Sequence, residues 1–161
     1  MSDSIPEPAE PIMTAISRND PEMKAAYRKA SQTMADFISH LTVGDGRWCS
    51  AKLCFKDPDE SDRLGEDRLL YWWLEFATYH ADEGLFSAEF TELPSCLEPY
   101  HHIGQRLTFE GEDVFDWRVS TDGRLYGGFT IRVARQRLRD DEIAEYDRYI
   151  GVTEYLDETA P

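Results

Sequence analysis

At Val43-Gly44-Asp45-Gly46 the hydrophobic period of this chain changes from three-and-four to two, and that switch restricts the fold to a helix laid against a sheet. Upstream, Met23, Ala26, Tyr27, Ala30, Met34, Phe37, Ile38 and Leu41 share one face of a single amphipathic helix. Asp20 can cap that helix, Pro21 suits a first position that needs no amide partner, and Glu22 complements the N-terminal dipole. Glycine at 44 supplies the left-handed stop. Downstream, Cys49, Ala51, Leu53 and Phe55 alternate with Ser50, Lys52, Cys54 and Lys56, which reads as a strand with a mostly polar reverse face.

The rest of the chain continues the strand pattern. Residues 57–68 are acidic around Pro58 and Gly65 and read as a mobile connection. Leu69 to Tyr79 is apolar on both parities, as a central strand requires, and Leu85 to Glu92 is its antiparallel return, with Phe86, Ala88 and Phe90 inward. A short strand follows at Gln105 to Phe109. Asp122-Gly123 between Val114–Ser120 and Arg124–Val133 is a hairpin signal. Gly127-Gly128 interrupts the second hairpin strand, which implies a bulge or a close backbone approach beneath the ring of Trp117. Asp140-Asp141 caps a helix carrying Ile143, Tyr146, Tyr149 and Ile150, and the last ten residues are expected to fray. The expected fold is α+β: an N-terminal helix packed on a mainly antiparallel twisted sheet, with a short C-terminal helix. A flexible acidic Pro-rich tail is expected over 1–19, a single domain over 20–138, and an acidic helix with a frayed tail over 139–161.

Charge narrows the choice of partner. The formal net charge is −15 over 161 residues, and the balance is uneven: residues 98–138 are neutral overall while the flanking segments are acidic. A field of that sign repels phosphate backbones, so no nucleic acid is expected, and a basic protein partner is the class it complements. The same excess of carboxylates is what a solubilising surface carries. No apolar run reaches membrane-spanning length, and Met1 to Pro8 lacks the basic and apolar regions of a secretory signal, so no membrane is expected and the cytoplasm is the expected compartment. Cys49, Cys54 and Cys96 are an odd set without paired spacing, as in a reducing compartment.

Motifs of the major enzyme classes are missing. The sequence has no Walker loop, dinucleotide fingerprint, nucleophile elbow or zinc-protease helix. His101-His102 beside Cys96 matches no closed zinc spacing, and no metal or cofactor is expected. Glu110, Glu112, Asp113 and Asp116 form a carboxylate cluster ahead of the hairpin that reads as a solvated turn and leaves acid/base work open. In the hairpin, Asp116, Trp117, Arg118, Arg124, Tyr126, Thr130 and Arg132 combine guanidinium groups and aromatics, the residue types favoured as binding anchors. A structural role is the alternative: Asp116 accepting local amides, Trp117 in the core, arginines paired across strands.

The run Asp116-Trp117, Asp122-Gly123 and Gly127-Gly128-Phe129-Thr130-Ile131-Arg132 resembles the signature of a bacterial family, the YegJ-like proteins or domain of unknown function 2314. The resemblance extends over residues 22 to 138, with Ala26, Ala30, Thr33, Phe37 and Trp73 in agreement. Ala88 and Glu92 depart from the family's Gly and Asn, and the segment from Arg139 reads as an addition. The family has no activity to transfer. The resulting expectation is a small, non-enzymatic, cytoplasmic binding protein, with an immunity or inhibitor role against a basic partner as one version. A small enzyme with a polar site at the 116–132 hairpin and a nucleic-acid mimic are the alternatives; no catalytic residue or oligomeric state is assigned.

Overall fold

The computed structural model describes residues 20–161, so the tail expected over 1–19 lies outside the described residues. Asp20 caps α1 (Pro21–Gln32) as its position implies, its carboxylate accepting from the amides of Glu22 at 2.9 Å and Met23 at 3.2 Å. The single helix expected to run to the stop near Val43-Gly44 is in fact two. Thr33 leaves helical geometry at φ −115° and ψ 19°, and α2 (Met34–Val43) starts after it and stops at left-handed Gly44. The hydroxyl of Thr33 explains the break. It donates back to the Lys29 carbonyl at 2.8 Å and accepts the indole N–H of Trp117 at 3.0 Å, so the backbone yields to a side chain that serves both helix and sheet. The turn also aims Phe37 at Trp117, the rings stacking with centroids 5.2 Å apart.

β1 (Trp48–Lys56) follows as expected, but its polar reverse face is not left to water: Ser50 and Lys52 are fully buried. The acidic connection, expected to be mobile, contains α3 (Pro58–Leu64), with Asp57 accepting from the Glu60 amide at 3.1 Å and Gly65 left-handed at its end. β2 (Leu69–His80) and β3 (Leu85–Glu89) form the next hairpin, and β4 (Arg106–Phe109) pairs with β3. β5 (Asp116–Thr121) and β6 (Arg124–Gly127) form the Asp122-Gly123 hairpin.

The second strand of that hairpin was expected to run to Val133 and instead ends at Gly127. Both glycines are left-handed, with φ 70° and 64°, and they turn the chain into α4 (Phe129–Gln136). The close approach to Trp117 is real: a Cβ on Gly127 would lie 2.5 Å from the Trp117 carbonyl and 2.8 Å from its ring. α5 (Asp140–Ile150) follows, and the terminal residues do not fray. β7 (Glu154–Tyr155) adds to β6 in parallel, the Leu156 amide donates to the Leu125 carbonyl at 3.0 Å, and the Thr159 carbonyl accepts from His40 at 2.8 Å.

Among the described residues the fold is thus α+β, with seven strands in the order β4-β3-β2-β1-β5-β6-β7, antiparallel except at β6–β7. β1, between β2 and β5, places three cross-strand rows in register: Trp73–Lys52–Asp116 on one face, Leu74–Ala51–Trp117 and Trp72–Leu53 on the other. The second face meets the core, where Phe37, Phe86 and Phe109 stack in a row.

Candidate functional site

The residues singled out by sequence do not gather at one surface. Asp116 is fully buried and accepts the amides of Trp117 at 2.8 Å, Phe129 at 3.1 Å and Thr130 at 2.8 Å, together with the Thr130 hydroxyl at 2.5 Å. The first amides of α4 need acceptors, and a carboxylate 13 and 14 residues upstream of them provides these. Lys52 lies opposite in register and donates to the Thr130 hydroxyl at 2.9 Å. Burial pushes the Asp116 carboxyl up from its ordinary value, while the Lys52 ammonium and the Thr130 donors pull the other way. Trp117 sits wholly in the core, and Tyr126 packs against His40 at 4.4 Å. Arg132 donates to the carbonyls of Gly127 at 2.9 Å, Leu125 at 3.2 Å and Leu156 at 2.7 Å, tying α4 to β6 and to the terminal strand. Arg124 is exposed, at the start of β6.

Arg118 alone among the seven leads to a cleft. It lies on the same face as Asp116, opposite Ser50, and its guanidinium sits over the Trp73 ring at 4.6 Å, the ring that Lys52 covers at 5.2 Å. Its Nη2 is 3.4 Å from Glu75 Oε2, with both side chains largely buried. Among the described residues its Nε, also buried, has no partner. The other Glu75 oxygen accepts the indole N–H of Trp48 at 2.5 Å and the hydroxyl of Ser50. One carboxylate therefore joins β1, β2 and β5 at the point where the register of β2 shifts.

The shift has a visible cause and a visible result. Phe76 adopts φ 54°, a left-handed conformation that a bulky residue rarely takes, and β2 bulges between Glu75 and Thr78. The bulge sends the Phe76 ring outward, 45% exposed, onto the Trp48 ring at 4.7 Å, itself 46% exposed. Beside this pair opens a groove of about 340 Å³ lined by Trp48, Glu75, Thr91, Glu92, Arg118, Tyr149 and Ile150. Tyr149 and Ile150, from the end of α5, form its far wall.

Of the groove's residues the sequence reading named Arg118 and did not name Trp48, Glu75, Phe76, Glu92 or Tyr149 as site candidates. Trp48 carried a faint signal, as an indole at the first position of a strand just past a glycine turn; the positive φ of Phe76 carried none.

The other sequence candidates have local duties. His101 packs on the Phe90 ring at 5.0 Å and meets Gln105 at 3.3 Å, and His80 meets the Ser87 hydroxyl at 2.8 Å. Asp113 accepts the Glu110 amide at 2.9 Å, closing a short 3-10 turn, and the neighbouring Glu112 raises the pKa of Glu110. Among the described residues no group of three or more His, Cys, Asp or Glu is placed to hold a metal ion, and no helix is long and apolar enough to cross a membrane.

A family model described as an uncharacterised protein conserved in bacteria (DUF2314) matches residues 20–153. The match passes Leu138, the limit of the resemblance read from sequence, and takes in α5. No curated protein and no solved structure matches the chain.

Proposed function

Since this chain belongs to the DUF2314 family of bacteria, whose description assigns no activity, we propose its role from the groove itself: a non-enzymatic cytoplasmic protein that binds a basic protein partner. The observation that carries the proposal is the outward Trp48–Phe76 pair, held open to solvent by a left-handed residue beside the Glu75–Arg118 pair. Backbone strain of this kind costs about 1–3 kcal/mol and persists where the surroundings enforce it, commonly at binding and catalytic sites. Aromatic and arginine side chains at the rim of a cleft are the residues on which interfaces most often depend.

The sign of the partner comes from charge. A net charge of −15 steers a basic surface toward the molecule and disfavours a second copy of this chain. An immunity or inhibitor protein against a basic effector is the specific form this suits. The test is capture from the native cell with wild type and Trp48→Ala, over a salt series. A basic partner, lost on adding salt and retained poorly by the variant, is the expected result. An acidic partner, or binding indifferent to salt, would sink the proposal.

A further inference from the structure

The sealed end of β5 holds the groups of a covalent bond. Lys52 on β1 and Asp116 on β5 are register partners on one face of the sheet, and both are fully buried. Opposed side chains on neighbouring strands start about 4.5–5.5 Å apart at Cβ, a span that a lysine stem bridges. We infer that the Lys52 amine condenses with the Asp116 carboxyl, joining β1 to β5 through an amide between side chains. The bond needs no partner protein and is independent of the binding role proposed above.

Each group that the condensation needs is in place. Thr130, fully buried, accepts from Lys52 Nζ at 2.9 Å and donates to Asp116 Oδ2 at 2.5 Å. A proton passed along that chain leaves a neutral amine beside a neutral carboxylic acid, the pair that a buried site favours over two charges. Burial already pushes the Asp116 carboxyl up, toward its protonated form. The Trp73 ring covers Nζ at 5.2 Å. The other oxygen, Oδ1, accepts the amides of Trp117 at 2.8 Å and Phe129 at 3.1 Å, which stabilise the charge that grows there as Nζ attacks Cγ. The Nζ–Cγ bond forms and the Cγ–Oδ2 bond breaks. Oδ2 leaves as water, carrying the relayed proton and one proton from Nζ, and nothing is oxidised or reduced. Two groups held in reactive geometry behave as if at about 10⁵–10⁸ M, which favours closure.

Mass spectrometry of the full chain tests the bond. The denatured wild type should weigh one water less than its sequence requires, and a tryptic digest should contain a branched peptide in which the Lys52 segment is joined to the Asp116 segment. Lys52→Arg and Asp116→Ala should each show the full sequence mass. Asp45-Gly46 and Asp122-Gly123 also lose water on cyclising to a succinimide, but that loss sits in a linear peptide and is reversed by mild base. Thr130→Val, followed from cell-free synthesis, should close the bond about a hundredfold more slowly, whereas Thr130→Ser, which keeps the hydroxyl, should match wild type. A wild-type chain at full sequence mass, or water lost only from a linear peptide, would overturn the bond. Closure in Thr130→Val as fast as in wild type would overturn the relay.

Discussion

Asp116 and Arg118 are two residues apart on β5, face the same way, and share Trp73 as a neighbour through Lys52 and the Arg118 guanidinium, yet they have opposite fates. Around Asp116 three amides and the Thr130 hydroxyl donate to the carboxylate, Lys52 lies beside it, and the side chain is fully buried. Around Arg118 one nitrogen has no partner among the described residues, the pairing with Glu75 is long at 3.4 Å, and a groove begins. The difference separates a sealed strand-to-helix turn from an open groove on the same strand. The dense signature from Asp116 to Arg132 closes a strand-to-helix turn, and the solvent-facing aromatic and charged groups begin where that closure ends.

If this contrast is right, substitutions at the sealed end should cost stability and those at the open end should cost binding. Asp116→Ala removes the counter-charge of buried Lys52 and the acceptor of the first α4 amides, so it should lower the unfolding free energy by about 3–5 kcal/mol, read by urea denaturation. A melt indistinguishable from wild type would erase the distinction. Gly127→Ala should cost about 3 kcal/mol, from positive φ and from the Cβ forced against the Trp117 carbonyl and ring; thermal unfolding checks it.

At the open end the sign reverses. Phe76→Gly relieves a left-handed residue worth about 1–2 kcal/mol while loosening the unfolded chain, so a net gain of about 0.5 kcal/mol is expected together with weaker partner binding. Destabilisation by more than 1 kcal/mol would mean that the Phe76 ring is structural.

The smallest effect is one of pH. Arg47 can only donate, so its 2.8 Å contact fixes His40 Nδ1 as an acceptor and the ring as neutral, with Nε2 donating to Thr159. Burial, with Arg47 adding to it, holds His40 below its ordinary value of 6.5. The unfolded ring then takes its proton first as pH falls, so this site's contribution is intact above about pH 6.5 and declines below it until the folded ring also protonates. Urea midpoints at pH 7.5 and 5.5 should draw together in His40→Gln relative to wild type; an unchanged gap would remove the effect.

Much of the frame was legible because its signals are local. The Asp20-Pro21 start, the period change near Gly44 and the Asp122-Gly123 turn act within a few residues. The helix at Phe129 was not legible, because Thr130, Ile131 and Val133 favour strands and the cap that overrides them is Asp116, across a hairpin. The break at Thr33 likewise answers to Trp117, 84 residues away. The groove was least legible of all. Its lining comes from β1, β2, β5, α5 and the loop after β3, and only the sheet order brings Trp48, Glu75, Arg118 and Tyr149 together.

The parallel pairing of Glu154–Tyr155 to β6 has a temporal consequence. During synthesis the antiparallel strands through β6 leave the ribosome before the segment that covers the outer edge of β6. Until residues past 150 emerge, that edge offers its backbone to any neighbouring nascent chain on a polysome. Two residues of strand, held by the Arg132 clamp on Leu156, end that exposure. Stalled or prematurely released chains of this protein are therefore the species most prone to associate edge to edge.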